Sequence, residues 1–295
     1  MDRREFLGIS VGLTAGLATG PFLSATSALA QAAPPNAREE ETMSNAQQRI
    51  GRKARVLITG SASGLGHLTA KALLADGHEV VVHVRSQARL SAVEDLVSQG
   101  AIATTSDLSD LDQTRRLAGQ VNDIGRMDAI IHNAGVISGP ELLVVNVLAP
   151  YLLTALIQRP KRLIYLSSSM HRGGNANLTG LDWSGRTATG TYSDSKLFVT
   201  TLAAAVARLW PDVLSNAVDP GWVPTRMGGP NAPDDLRLGH LTQEWLATSN
   251  APEALSTGGY WHHQRIQKPH PAVNDIQFQD RLIAELARTT GTALP

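Results

Sequence analysis

The chain has 295 residues, with 26 basic side chains balancing 26 acidic ones, nine histidines and no cysteine. Charge is spread without a run of either sign, which gives no electrostatic footprint for nucleic acid. The lack of cysteine removes disulfides, thiolate metal sites and a cysteine nucleophile. Among the histidines only "WHH" at residues 261–263 is clustered. No second cluster stands at metal-ligand spacing, so no metal is expected.

The N-terminus differs from the rest. Arg3 and Arg4 precede an uncharged stretch over residues 6–30 that ends in Ala28-Leu29-Ala30. This is the layout of a secretory signal with a small-x-small cleavage site. The paired arginines beside Phe6-Leu7 resemble a bacterial twin-arginine signal, which exports proteins already folded and implies the periplasm. Asp2 and Gly8 depart from that pattern. An uncleaved anchor is disfavoured by the glycines between residues 8 and 20 and by Pro21. A start at Met43 would leave the protein in the cytoplasm. Residues 31–50 are polar and Pro-containing and read as a linker, so the expected organisation is a signal over 1–30, a linker over 31–50 and a single domain over 51–295.

In chain order, the predicted strands are "ARVLIT" (54–59), "EVVVHV" (79–84), "AIATTS" (101–106), "MDAIIH" (127–132), "RLIYLS" (162–167) and "VLSNAV" (213–218). Helix-length segments such as 64–76 and 86–99 lie between them. Near-continuous apolar strands alternating with helices specify a parallel sheet covered on both faces, an α/β doubly wound (Rossmann) fold. After Asp219 the chain reads as a mobile loop with a short helix, a lid over 221–250. A last apolar stretch near residues 258–262 and a closing helix around 275–288 follow.

The first strand runs into "TGSASGLG", which places Gly60, Gly64 and Gly66, with Ser61, Ser63 and Leu65 between them, in a turn that opens a helix. Glycines there let backbone approach a diphosphate, and free N–H groups at the helix start attract it. The second strand ends in Val84-Arg85 with no acidic residue for ribose hydroxyls. A guanidinium at that place suits a 2′-phosphate, so NADP is expected rather than NAD. Asp107, followed by Leu108, closes the third strand and either accepts from the adenine amino group or caps the next helix. Tyr192 and Lys196 in "TYSDSK" stand four apart and share a helix face. An adjacent ammonium would lower the tyrosine from its ordinary pKa of about 10 and make it a usable base. By itself, the same spacing also describes an amphipathic helix with a lysine at its solvent edge.

Taken together, "TGSASGLG", "HNAG", "VNVLAPYLLT", "IYLSSSM", "YSDSK" and "DPGWVPT" follow one another as in short-chain dehydrogenases/reductases. Over residues 53–288 the chain resembles the single-domain, retinol-dehydrogenase-like members of that family. The resemblance implies an oxidoreductase that moves a hydride between NADP and a secondary alcohol or carbonyl compound. It assigns acid/base catalysis to Tyr192, assistance and nicotinamide-ribose binding to Lys196, and substrate orientation to Ser168, with Ser169 as the second choice in the serine run. Asn146 would hold a water that links Lys196 to solvent. Asn133, Ala134 and Gly135 shape the cofactor pocket, and Pro220, Gly221, Val223 and Thr225 form the loop that meets the nicotinamide carboxamide. The span between "HNAG" and Asn146 is shorter than in the retinol-dehydrogenase-like members. The Asn146 helix is a frequent dimer face in the family, so the resemblance implies a homo-oligomer while the shortened span leaves the oligomeric state open. Trp222, Met227, Leu236, Leu238 and Trp245 in the lid suggest a lipophilic substrate.

Three other readings compete. A non-catalytic NADP sensor would need none of the tyrosine, lysine, serine and asparagine. Nucleotide-sugar isomerases and dehydratases share the Tyr-Lys spacing but use a different glycine opening and a larger C-terminal domain. A serine hydrolase would need a Gly-x-Ser-x-Gly elbow, and the chain has none around the serine run.

Overall fold

The computed structural model describes residues 53–295, so the signal and linker expected over 1–50 lie outside the described residues. Eight strands form one sheet in the order β3-β2-β1-β4-β5-β6-β7-β8. They are β1 (Arg55–Ile58), β2 (Glu79–Val84), β3 (Ile102–Thr105), β4 (Ala129–His132), β5 (Arg162–Leu166), β6 (Leu214–Asp219), β7 (Tyr260–His262) and β8 (Arg265–Gln267). The first seven are mutually parallel and β8 returns antiparallel to β7. Strands buried on both faces explain the unbroken Val/Ile/Leu runs, because helices cover each side.

Seven α-helices accompany the strands among the described residues: α1 (Gly64–Ala75), α2 (Glu94–Ser98), α3 (Leu111–Ile124), α4 (Ala149–Leu156), α5 (Tyr192–Leu209), α6 (Leu236–Thr248) and α7 (Ile276–Thr290). One side of the sheet packs Leu57, Ile130, Leu163 and Tyr165 with Leu117, Tyr151, Phe198 and Phe278. The other packs Val56, Ile58, Val82 and Ile131 with Ala70, Leu73, Leu96 and Leu246. Helix starts follow local chemistry: Asp110, Asp235 and Asp275 each accept from N–H groups of the first turn, which is worth about 1 kcal/mol per cap.

Three elements differ from the sequence expectation. The segment 86–99 is a 3-10 helix over Gln87–Val93 followed by the five-residue α2. The lid helix α6 has 13 residues and is not short. Its Trp245 packs edge-on to Trp261 at 5.3 Å, so part of the lid belongs to the domain's own packing. Strand β8 was not expected. It is reached through a tight turn in which His263 and Gln264 both take positive φ, 47° and 59°, without the Asn-Gly or Asp-Gly signal by which such turns are recognised.

A polar knot lies within the core. The Thr154 hydroxyl donates to the Pro150 carbonyl (2.7 Å), meets His132 Nε2 (3.2 Å) and accepts from the Tyr165 hydroxyl (2.8 Å). Burial pushes His132 down to about 3 and His83 on β2 down to about 4. The unfolded chain titrates both near their ordinary value of about 6.5, so the neutral folded forms are favoured above that pH. Their stabilisation is lost as pH falls from about 6.5 toward 4, on the order of 2 kcal/mol each by pH 5. Thermal denaturation followed from pH 7.5 to pH 4.5 should show this loss; a flat profile would contradict it.

Candidate active site

Strand order reverses between β1 and β4, whose neighbours are β2 on one side and β5 on the other. In an open α/β sheet the crevice at the carboxyl ends of the strands at this place is the ligand site. The glycine turn lies here. Gly60 adopts φ +72°, and a Cβ on it would stand 2.9 Å from the Ala134 Cα. Gly66 lies in the first turn of α1, and a Cβ there would stand 2.4 Å from Asn133 Nδ2 and 2.6 Å from the Gly60 carbonyl oxygen. Both positions therefore require glycine for close packing of turn, helix and the segment after β4.

That segment is tied to the turn by hydrogen bonds. The N–H groups of Asn133 and Ala134 both donate to Thr59 Oγ1 at 3.0 Å, and Asn133 Nδ2 donates to the carbonyls of Thr59 (2.8 Å) and Gly60 (3.1 Å). Asn133 thus acts as a staple beneath the cradle. Ser61 is buried, with its hydroxyl donating to the Ile58 carbonyl and its N–H to the His83 carbonyl. His83 is a member of this scaffold that sequence reasoning missed. Its Nδ1 accepts from the Gly60 N–H at 3.2 Å, so its Nε2 carries the proton and donates to the Ser106 carbonyl at 2.8 Å. The depressed pKa keeps that tautomer neutral. The available signal was a polar residue inside an otherwise apolar strand run.

Ser63 precedes α1 with extended backbone and makes no side-chain cap. A cleft of about 360 Å³ opens beside it, lined by Ser63, Gly64, His67, Thr225, Arg226 and Leu236 among others. The Thr225 side chain lies 3.5 Å from where a Gly64 Cβ would be, so the lid loop lies over the glycine turn. Leu65 and Val223 both face Gly239 of α6 and seat that helix against the turn. The tight turn, the free helix start and the cleft between turn and lid fit a dinucleotide diphosphate.

At the end of β2, Arg85 Nε donates to Asp107 Oδ2 at 2.8 Å. Asp107 Oδ1 in turn accepts from the N–H and hydroxyl of Ser109. Asp107 thus braces Arg85 and the loop that enters α3, while Leu108 is buried in the core. Arg85 is itself exposed, and its Nη groups have no acceptor among the described residues.

The other half of the crevice holds the expected catalytic group. Helix α5 begins at Tyr192 because Thr191 and Asp194 form a capping box: the Asp194 N–H donates to Thr191 Oγ1 (3.1 Å) and the Thr191 N–H to Asp194 Oδ2 (2.9 Å). The same hexapeptide that carries the Tyr-Lys pair therefore also fixes where its helix starts. Ser168 follows β5, and its hydroxyl lies near enough to Tyr192 to lower the phenol's pKa while accepting from the Met170 N–H at 3.2 Å. Its neighbours are directed elsewhere: Ser167 is buried against Thr200 (2.5 Å) and Ser169 is exposed. Lys196 is buried, lies 5.4 Å from the Tyr192 ring centroid and donates to the Leu166 carbonyl at 2.7 Å.

Asn146 lies in a π-helical turn, Val144–Leu148, that leads into α4. Its Oδ1 accepts from the Val136 N–H (2.8 Å), and Nδ2 donates to the Val136 carbonyl (2.9 Å) and Ser195 Oγ (3.0 Å). Both amide hydrogens are engaged with protein. A Cβ on Gly135 would stand 3.2 Å from Asn146 Oδ1 and 3.7 Å from Lys196 Nζ, so that glycine lets asparagine and lysine approach one another.

The electrostatics differ from the sequence expectation in one respect. Tyr192 is pushed up, to about 12, by burial first and by the charge of Asp219 second, with the Ser168 hydrogen bond opposing. Lys196 is pulled down to about 8 by burial, which Asp219 partly offsets. Lowering by the neighbouring ammonium is thus not the net result. Asp219, at the end of β6, is a further residue that sequence reasoning did not place in the site. Its Oδ1 accepts from the Gly221 N–H (3.0 Å) and its Oδ2 from the Tyr260 hydroxyl (2.9 Å). Pro220 and Gly221 carry the chain from there into the lid.

Residues 54–151 match the family model described as short chain dehydrogenase. The short-chain dehydrogenase chyC of Penicillium rubens is 35% identical over 82% of this chain and 99% of its own length. Human retinol dehydrogenase 13 is 26% identical over 81% of this chain and 85% of its own. Among solved structures, a blue fluorescent protein from a metagenomic library, crystallised in complex with NADPH, superposes with a TM-score of 0.60 at 21% identity. That match covers 73% of this chain and 97% of the other.

Proposed function

The chain belongs to the short-chain dehydrogenase family, and on that premise we propose that it is an NADP-dependent oxidoreductase interconverting a secondary alcohol and a carbonyl compound with Tyr192 as acid/base. The observation that carries this reading is the convergence of Ser168, Tyr192 and Lys196 from β5 and α5 at the mouth of the crevice that begins at the glycine turn. NADP, when bound, supplies the hydride donor or acceptor. The turn from Gly60 to Gly66 would hold its diphosphate, Asn133 to Gly135 and the Pro220 to Thr225 loop would flank it, and Arg85 would meet the 2′-phosphate.

Tyr192 exchanges a proton with the substrate oxygen, and Ser168 orients that oxygen and donates to it as negative charge develops. Lys196, fixed by the Leu166 carbonyl, supplies positive charge beside the phenol. Because both amide hydrogens of Asn146 are engaged, its part in proton delivery is to hold the Val136 segment and the π-turn beside Lys196. The Tyr192→Phe variant tests the reading and is treated in the Discussion.

Arg85 supports NADP over NAD because its Nη groups are open while Asp107 fixes its Nε. Arg85→Ala should raise the Kd for NADPH by roughly tenfold and leave that for NADH unchanged, since a guanidinium contact to phosphate is worth about 1.5–3 kcal/mol. Fluorescence titration with both cofactors checks this, and equal loss for the two would remove the assignment. Trp222, Met227 and Leu238 are exposed on the lid and favour a lipophilic substrate; the retinol of the human relative's name is such a compound. A panel of lipophilic alcohols, aldehydes and ketones followed by NADPH absorbance identifies the class. Export through the twin-arginine-like N-terminus is also part of the proposal. Cell fractionation that finds only full-length cytoplasmic protein would remove it.

A further inference from the structure

A buried carboxylate faces the Tyr192–Lys196 pair. Parallel pairing of β5 with β6 places Leu166 opposite Val218, and the Ser167 N–H continues the ladder to the Val218 carbonyl at 2.7 Å. Asp219 therefore stands one step beyond Leu166, the residue whose carbonyl holds Lys196, and level with the serines that lead to Tyr192. Its side chain is 6% exposed. It is clamped by the Gly221 N–H and the Tyr260 hydroxyl, while His262 Nδ1 lies 3.7 Å from its Oδ2. A carboxylate so placed is held in one position and shielded from water, the condition in which a charge acts strongly on its neighbours.

Resting on the assignment of Tyr192 as the proton-exchanging group, we propose that Asp219 is a positioning residue, the buried counter-charge of Lys196, which holds Tyr192 in the hydroxyl form that donates a proton to a carbonyl. With a neutral residue at 219, the charge of Lys196 would act on the phenol against burial alone. With Asp219 present the two charges oppose one another, and the carboxylate adds to the burial that already holds the phenol above its ordinary value. The groups that face Asp219 are Tyr192 and Lys196 from α5, Tyr260 and His262 from β7, and His171 from the 3-10 turn after Ser168, whose Arg172 lies over the Tyr260 ring. Near Gly221 stand Asp234 and His263. Tyr260, held by Asp219, is itself raised by burial and by that carboxylate.

The sign is fixed by the charge. Removing a negative charge favours release of a proton, so Asp219→Asn moves the titration of the site to lower pH, by about one unit for a carboxylate acting at an effective dielectric near 20. Two readouts test this. The first is the pH profile of phenanthrenequinone reduction at saturating NADPH. Its alkaline limb should fall by about one unit, a roughly tenfold loss of rate above the limb, while Asp219→Glu keeps the native profile. The second is the ultraviolet phenolate difference between each protein and its Tyr192→Phe counterpart, which reads tyrosine ionisation without turnover. Asp219→Asn should show Tyr192 phenolate at a lower pH than the native protein does. An equal loss of rate at every pH with an unmoved phenolate titration overturns the proposal. If Asp219→Asn does not fold, Tyr260→Phe decides: it leaves the carboxylate with one donor fewer, so the limb must stay or rise, and a fall overturns the proposal. Should Tyr192→Phe retain full turnover, the acid/base assignment fails, while the phenolate titration still reports on Asp219.

Discussion

Tyr192→Phe should lower turnover by at least about a thousandfold while the Kd for NADPH stays within a few-fold of the native value. Removal of a general acid/base typically loses 10²–10⁴ in rate, and among the described residues no other hydroxyl group is held in the same place. Ser168 lies beside Tyr192, but its hydroxyl accepts from the Met170 N–H, and serine is far too weak an acid to replace a phenol. The fold should survive, because Tyr192 is only partly buried and its helix is started by the Thr191–Asp194 box rather than by the phenol. Steady-state kinetics on an accepted substrate, together with NADPH fluorescence titration, separates the two effects. Undiminished turnover would remove Tyr192 from the chemistry.

Gly66→Ala should be the most damaging single methyl group in the cofactor half. Its Cβ would come within 2.4 Å of Asn133 Nδ2 and 2.6 Å of the Gly60 carbonyl oxygen. One of these atoms is backbone of the cradle, and the other is the amide that staples Thr59 and Gly60 to β4, so neither can yield without breaking the turn. Overpacking of this kind costs about 1–3 kcal/mol, and the broken hydrogen bonds add to it. NADPH binding should weaken by at least about a hundredfold. Gly64→Ala is the informative contrast. Its Cβ would meet only Thr225 at an ordinary 3.5 Å, so the strain of its φ of +61° is the main cost, about 1 kcal/mol. Melting curves and NADPH titrations of the two variants check the order; equal behaviour would show that the close approach does not matter.

Much of the site was legible because it is written in segments where local chemistry and tertiary role coincide. "TGSASGLG" combines a strand exit, a turn that needs glycine and a helix start, and each shows in the residue types. "TYSDSK" sets four-residue spacing and a capping box within six residues. In the serine run adjacent residues point to opposite faces: Ser167 turns to Thr200, and Ser168 lies by Tyr192. Other features left no such mark. His83 supports the Gly60 N–H from the neighbouring strand, a contact across 23 residues of chain. The turn to β8 uses His263 and Gln264 where glycine or asparagine would have signalled it.

The sequence by itself determined the alternation of buried strands and amphipathic helices, the position of the glycine turn and the helix-borne Tyr-Lys pair, because each depends on propensity and spacing within a few residues. Only the tertiary structure decided the charge balance around Tyr192. The ends of β5 and β6 bring Leu166 beside Val218 and put Asp219 one step beyond, although 53 positions separate Leu166 from Asp219, and burial withdraws the water that would screen the aspartate. Burial and long-range charge together push the phenol up rather than down, and neither can be read from a hexapeptide, since both are properties of what surrounds it in space.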